Sequence, residues 1–399
     1  MSDDATGPIA PDTPPLSGLK VLDLSRILAG PWAAQALADL GADVVKIERP
    51  GTGDDTRHWG PPFIERAGGE PARSAERSAA YFHAANRNKR SVVIDLSDPA
   101  GRDRVRALAT RADVVIENFR VGGAARLGLD HATLAARNPR LVTCSITGFG
   151  QDGPRAAEPG YDAMIQAASG HMSITGEPDG GPQKIGVALM DIMTGLYAAI
   201  AIQAALWRRA RTGRGEHIDM ALMDVAVGTL ANQAMNYLAS GKVPGRLGTA
   251  HPNIVPYQAF ACADGAIMVA VGNDAQFARL CSALGLEALA AETRFATNAG
   301  RVENRDELVA ALGDAFGALA MDRAVALLSA ASVPCGPVNT IDRVFADPQV
   351  RARGMALDTQ GVPGVRMPVR FREAQLAVPR PSPTLGEHDG DVEDDPRWR

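Results

Sequence analysis

From Lys20 onward the chain alternates short apolar runs with helical segments, and this order constrains the fold more than any other feature. KVLDL (20–24) is followed by the helical GPWAAQALADLGA (30–42) and then by DVVKIE (43–48). A run, a helix and a second run make a βαβ unit, and such units imply a parallel sheet. The theme continues through a strand SVVIDL (91–96), a helix from Asp98 to Thr110, a strand DVVIENF (113–119), a helical stretch near 121–137 and a strand LVTCSI (141–146). The expectation is an α/β protein with a Rossmann-like, doubly wound large domain.

After the strand HIDMAL (217–222) the texture changes to helices, the loop GKVPGRLGTAHPNIVPY and a strand GAIMVAVG. We therefore expect residues 1–15 to be a disordered lead-in and 16–222 to form the first part of the large domain. Residues 223–329 should form a smaller α+β domain, 330–385 should return to the large one, and 386–399 should be an acidic, solvated tail. The longest apolar run, GLYAAIAIQAALW, has thirteen residues, short of the roughly twenty a bilayer span needs, so it reads as a core helix.

A net charge of −5 and a pI near 5.9, without basic clusters, exclude nucleic acid and anionic membranes as expected partners. The four cysteines are far apart with no CxxC, so neither zinc nor a disulfide framework is expected, and a reducing, cytoplasmic setting fits.

Ligands of doubly wound sheets bind at the carboxyl ends of the strands, where Glu48, Arg49, Asp95, Asn118, Phe119 and Arg120 fall, with Arg126 beyond. These basic residues could form a cationic rim for phosphates. GFGQDG (148–153) matches a dinucleotide fingerprint, but Pro154 follows where the fingerprint needs a helix, so it reads as a loop. There is no GxxxxGK[ST], G-x-S-x-G or HExxH, and Cys144 inside an apolar strand reads as a small core residue. Asp191 remains, an ionisable group at the head of GLYAAIAIQAALW and after the glycine-rich TGEPDGGPQKIG (175–186). It could simply cap the helix, or it could be a partly buried, poorly solvated nucleophile.

The stretches LDLSRILAGPWAAQALADLGADVVKIERPGTGDDTR (22–57), NRNKRSVVIDL (86–96), ADVVIENFRVGG (112–123), GYDAMIQAASG (160–170), MDIMTG (190–195) and RTGRGEHIDMAL (211–222), with LGTAHPNIVPYQAF (247–260) and VPCGPV (333–338) later, resemble the class III CoA-transferases typified by formyl-CoA and carnitine CoA-transferases. The resemblance implies Asp191 as nucleophile, passing through aspartyl anhydride and aspartyl-CoA thioester intermediates. It implies CoA contacts at Leu28, Ala29, Arg49, Ile94, Asp95, Leu96, Ser97, Asn118, Phe119, Arg120, Arg126, Glu158, Pro159, Gly160 and Tyr161. Leu28 stands where the formyl-CoA enzyme has an oxyanion-binding glutamine, Pro159 stands at a CoA-binding lysine, and the tetraglycine loop of that enzyme has no counterpart.

The resemblance further implies an interlocked homodimer of ring-shaped subunits, CoA thioesters as substrates and no permanently bound cofactor or metal. The same family holds α-methylacyl-CoA racemases, whose catalytic histidine falls in a GHD motif that reads GYD here, with Tyr161; a phenol with a pKa near 10 is a poor replacement. TGDDTRHWGPPF (52–63) and GTAHPNIVPYQAF resemble the branch that uses succinyl-CoA and short dicarboxylic acids. Arg57, Arg87 or Arg246 could then bind the second carboxylate of the acceptor.

Overall fold

The structure is a computed structural model that describes residues 10–66 and 76–398. The chain divides into two compact units, residues 1–171, 185–234 and 349–399 in the first and residues 172–184 and 235–348 in the second.

The first unit is built on a six-stranded parallel sheet. Its strands are β1 (Lys20–Asp23), β2 (Asp43–Glu48), β3 (Lys89–Val93), β4 (Val114–Glu117), β5 (Val142–Thr147) and β6 (Glu216–Ala221), in the order β3-β2-β1-β4-β5-β6. On β1, β2 and β4 successive residues enter opposite cores, as a sheet covered on both faces requires. Val21, Val44, Val114 and Cys144 join one cluster, while Leu22, Val45 and Val115 join the other.

Helix α1 (Ala29–Asp39) and the long α4 (Leu189–Thr212) cover the first face, and α2 (Pro99–Arg111) covers the second. Asp98 starts α2 by accepting the Ala100 N–H at 3.0 Å, with Pro99 at the first helical position. Helix α4 buries Met190, Thr194, Ala198, Ile202 and Ala205, a helical period of three to four residues. It lies so close to α1 that a Cβ on Gly195 would stand 2.7 Å from the Ala29 carbonyl oxygen. At its other end Gly213, at φ 70°, supplies the left-handed C-terminal residue that returns its N–H to the Arg209 carbonyl.

The sequence expectations need several corrections. Helix α4 has 24 residues and is long and apolar enough to cross a bilayer by length and composition, unlike the thirteen-residue run anticipated. Its buried stripe nevertheless belongs to the core, while Ile200 and Trp207 on other faces are exposed.

The chain returns to the first unit at Gln349 rather than at 330, because Cys335–Pro337 pairs antiparallel with Gly265–Ala270 in the second unit's sheet. Residues 223–234 stay with the first unit, whose core holds Leu222 and Ala226, and the glycine-rich 172–184 belongs to the second.

The expected solvated tail is packed. Trp398 is buried, its indole donating to Asp43 Oδ2 at 3.0 Å, and Val392 joins the second core. Asp389 accepts the Val93 N–H at 2.7 Å, and the His388 N–H donates to the Ser91 carbonyl at 3.0 Å. Asp391 and Asp394 stay exposed while Val392 and Trp398 pack inside. Of the expected lead-in, residues 1–9 lie outside the described residues; in the rest the Thr13 N–H closes a turn on Ala10, and Pro14 lies against Gly41.

The second unit carries a three-stranded antiparallel sheet, with Tyr257–Cys262 and Cys335–Pro337 on either side of Gly265–Ala270. Its core gathers Phe260, Ile267, Val269, Phe277, Leu308, Leu312 and Phe316.

Candidate active site

The loops leaving β1, β4 and β5 and the first turn of α4 enclose a cavity of about 220 Å³. Its wall includes Arg26 to Ala29, Asn118 to Val121, Ile146 to Gly148, Ala156 to Tyr161, and Asp191. A second cavity of about 350 Å³ lies over the ends of β2 and β3, lined by Glu48, Arg49, Gly53, Asp54 and Ile94 to Ser97 among others; Arg26 and Phe119 border both. Ligand space at the carboxyl ends of parallel strands is the expected place in this architecture.

Fourteen of the fifteen residues expected at CoA line one or other cavity. Leu28, Ala29, Asn118, Phe119, Arg120 and Glu158 to Tyr161 share the cavity of Asp191, while Arg49 and Ile94 to Ser97 line the second. Arg126 lines neither and is exposed on the short helix Gly123–Leu127. Gly148 and Gly160 make the first arrangement possible, since a Cβ on Gly148 would sit 2.5 Å from the Gly160 Cα. Their contact holds the 158–161 loop against the end of β5, which is the physical role of the first glycine of GFGQDG; the stretch is a loop, as expected.

Some of these side chains are already engaged. The Asn118 carboxamide accepts the Arg26 N–H at 2.9 Å and donates to the Arg26 carbonyl at 2.8 Å, so its hydrogen bonds go to the backbone. Glu158 is paired with Arg155 at 2.8 Å. Arg49 and Arg26 share the Asp55 carboxylate at 2.6 and 2.8 Å.

Asp191 lies in the first turn of α4, where both readings of its role meet. The helix has no capping side chain of its own at Ala188. Asp162, the residue after Tyr161, takes that place from α3 (Asp162–Ala168): its Oδ1 accepts the N–H groups of Met190 and Asp191 at 2.7 and 3.2 Å. Gln166, fully buried, donates to Asp162 Oδ2 at 2.6 Å and accepts the Ile185 N–H at 2.9 Å, which fixes the approach to α4.

Burial, and then the charge of Asp162, push the Asp191 carboxyl up to about 7. The Tyr81 hydroxyl is raised by burial and by the charges of Asp191 and Asp162. Neither Asp162 nor Tyr81 was anticipated from the sequence as a partner of Asp191; the adjacency of Asp162 to Tyr161 was the available signal.

The arginines expected to bind a second carboxylate are placed otherwise. Arg57 is buried, donating to both Glu48 oxygens at 2.9 and 2.7 Å and to the Pro383 carbonyl at 3.1 Å, with its guanidinium 3.7 Å from the Phe82 ring centre. Arg87 is paired with Asp39 through Nε at 2.9 Å and through Nη2. Both lie where the chain needed internal charge pairs. Arg246, in the second unit, donates to the carbonyls of Glu177 and Gly180 at 3.1 and 2.7 Å and braces the glycine-rich loop.

A sequence profile of CoA-transferase family III matches residues 16–389. The chain belongs to that family. It is an acyl-CoA:carboxylate CoA-transferase, and it is 53% identical over 384 residues to a succinate–glutarate CoA-transferase from Agrobacterium fabrum, covering 95% of both chains. It is 42% identical to the human succinyl-CoA:glutarate CoA-transferase, over 94% of this chain and 84% of that one. Among solved structures, a CaiB/BaiF family protein from Brucella suis superposes with a TM-score of 0.85 at 57% identity, covering 96% of this chain and 99% of that one.

Proposed function

We propose that this family III CoA-transferase moves CoA from succinyl-CoA to a short dicarboxylic acid of the glutarate type, with Asp191 as the nucleophile. The observation that carries the mechanism is the placement of Asp191. It is a carboxylate with a pKa pushed to about 7, bordering the cavity formed by the Leu28–Ala29 turn and the 158–161 loop. A carboxylate whose pKa is raised by burial is poorly solvated and more basic than usual, yet still half ionised near neutrality.

The Asp191 oxygen attacks the succinyl thioester carbonyl, the C–S bond breaks, and CoA leaves as thiolate from a mixed anhydride. The thiolate attacks the aspartyl carbonyl, succinate leaves, and an aspartyl-CoA thioester remains. The acceptor carboxylate attacks that thioester, releasing the thiolate and forming a second anhydride. Attack of the thiolate on the acceptor's acyl carbonyl then gives the new acyl-CoA and restores Asp191. One thioester replaces another, so the exchange is nearly isoenergetic and needs no nucleotide. The names of the Agrobacterium and human relatives support the substrate pair.

A cytoplasmic homodimer belongs to the same proposal. The exposed Leu196, Ile200 and Trp207 on α4 offer apolar surface to a second copy, and the four cysteines are free, as a reducing compartment allows. The racemase alternative is not favoured, since Tyr161 stands at the histidine position and the matched relatives are named CoA-transferases. The test is to incubate the protein with succinyl-CoA and a panel of carboxylic acids and read the acyl-CoA products by mass spectrometry. Glutaryl-CoA formation is expected. Deuterium wash-in at the α-carbon without acyl exchange would overturn the reading.

A further inference from the structure

The segment Ser25–Leu28, which joins β1 to α1, is held in an unusual backbone conformation. Ile27 sits at φ 73°, in the left-handed region, and a β-branched residue there is a true outlier whose backbone is strained. Three side chains hold the segment from the next strands and loops. Lys46 donates to the Ser25 carbonyl at 2.8 Å, Asn118 takes both the N–H and the carbonyl of Arg26, and Asp54 accepts the Ile27 N–H at 3.2 and 3.3 Å.

The Asp54 and Lys46 side chains are fully buried and 2.9 Å apart. Burial alone would raise the Asp54 carboxyl, but the Lys46 ammonium and the hydrogen bonds from Thr56 together hold the group at about 2. The acceptor for Ile27 is therefore ionised at any working pH. Burying such a pair is a poor route to stability, and a glycine at position 27 would remove the backbone cost. The arrangement makes sense if the geometry of the turn matters more than stability. The next residues are Leu28 and Ala29, which share the cavity of Asp191, and the Ala29 carbonyl lies against Gly195, four residues beyond Asp191 in α4.

We propose that Asp54 and Asn118 are positioning residues that lock Arg26 and Ile27 and so set the Leu28–Ala29 turn against Asp191 for the acyl-transfer step. The kinetic part of this proposal rests on the CoA-transfer reading above. It predicts that loosening the lock lowers kcat while leaving succinyl-CoA binding nearly intact.

The test uses the full-length protein with Asn118→Ala and Ile27→Gly, the latter removing no buried polar side chain and so leaving a folded variant if the former is unstable. Site-resolved amide hydrogen exchange should speed up at position 26 in Asn118→Ala and at position 27 in Ile27→Gly, by about tenfold or more. The kcat for exchange of labelled succinate into succinyl-CoA should fall by on the order of 10- to 100-fold, with KM for succinyl-CoA within about threefold. Unchanged amide exchange, or faster exchange with unchanged kcat, or a rise in KM alone, overturns the proposal. A wild-type protein that exchanges no succinate would instead contradict the CoA-transfer reading, and the lock itself would then be judged on amide exchange alone.

Discussion

The carboxylate of Asp162 caps the helix that carries Asp191, accepting the Asp191 N–H at 3.2 Å, and its charge adds to burial in holding the proton on Asp191. One contact thus fixes the nucleophile's backbone and tunes its side chain.

The first prediction concerns pH. Asp191 must be ionised to attack, so kcat/KM for succinyl-CoA should rise with pH along a limb centred near 7, where its carboxyl titrates. Asp162→Asn keeps an oxygen that can accept the helix N–H groups but removes the charge, and should move that limb to lower pH. A pH–rate profile with the same limb in both proteins would show that the charge of Asp162 does not tune the site.

Stability should move in the opposite sense to function. The Asp191 carboxyl titrates near 7 when folded and near 3.8 in the open chain, so between these values the native state holds a proton that the unfolded state lacks. Its contribution to stability is full below about pH 4 and is lost as pH rises through about 7. Asp191→Asn should therefore abolish transfer yet melt higher than wild type at pH 8, with the difference shrinking at pH 5. Calorimetry at the two pH values checks this, and an equal or lower melting temperature at pH 8 counts against the raised pKa.

Arg57 should prove structural rather than substrate-binding. Arg57→Met leaves Glu48 buried without its fork of donors, which should cost roughly 3–5 kcal/mol. Urea unfolding measures the loss; a variant of native stability with a selectively raised KM for the acceptor acid would restore the substrate role.

The C-terminal segment should matter for folding. Trp398→Ala removes a buried indole and its bond to Asp43, at a cost of about 3–5 kcal/mol. The same unfolding experiment reads it, and a change under 1 kcal/mol would return the segment to the status of a solvated tail.

Much of this was legible in the sequence because parallel strands buried on both faces must be written as apolar runs. Val44 and Val45 on neighbouring positions satisfy two different cores, and β1, α1 and β2 follow directly. Asp191 was legible as a lone ionisable group heading an apolar helix. Other features depended on partners distant in sequence. Whether Arg57 meets a ligand or Glu48 cannot be read from its neighbours, and nothing about Ile27 marks it for the left-handed region. The tail misled because nine charged or histidine residues hide two apolar anchors. The Asp162 cap is reached across 29 positions, beyond any local pattern.

The most direct test of the central claim is to trap the covalent intermediate. The protein is incubated with succinyl-CoA, quenched with hydroxylamine, digested and analysed by peptide mass spectrometry. The account predicts a hydroxamate on Asp191, formed only when succinyl-CoA is present. Full transferase activity with Asp191 unmodified, or with the label on another carboxylate such as Asp162, would contradict it.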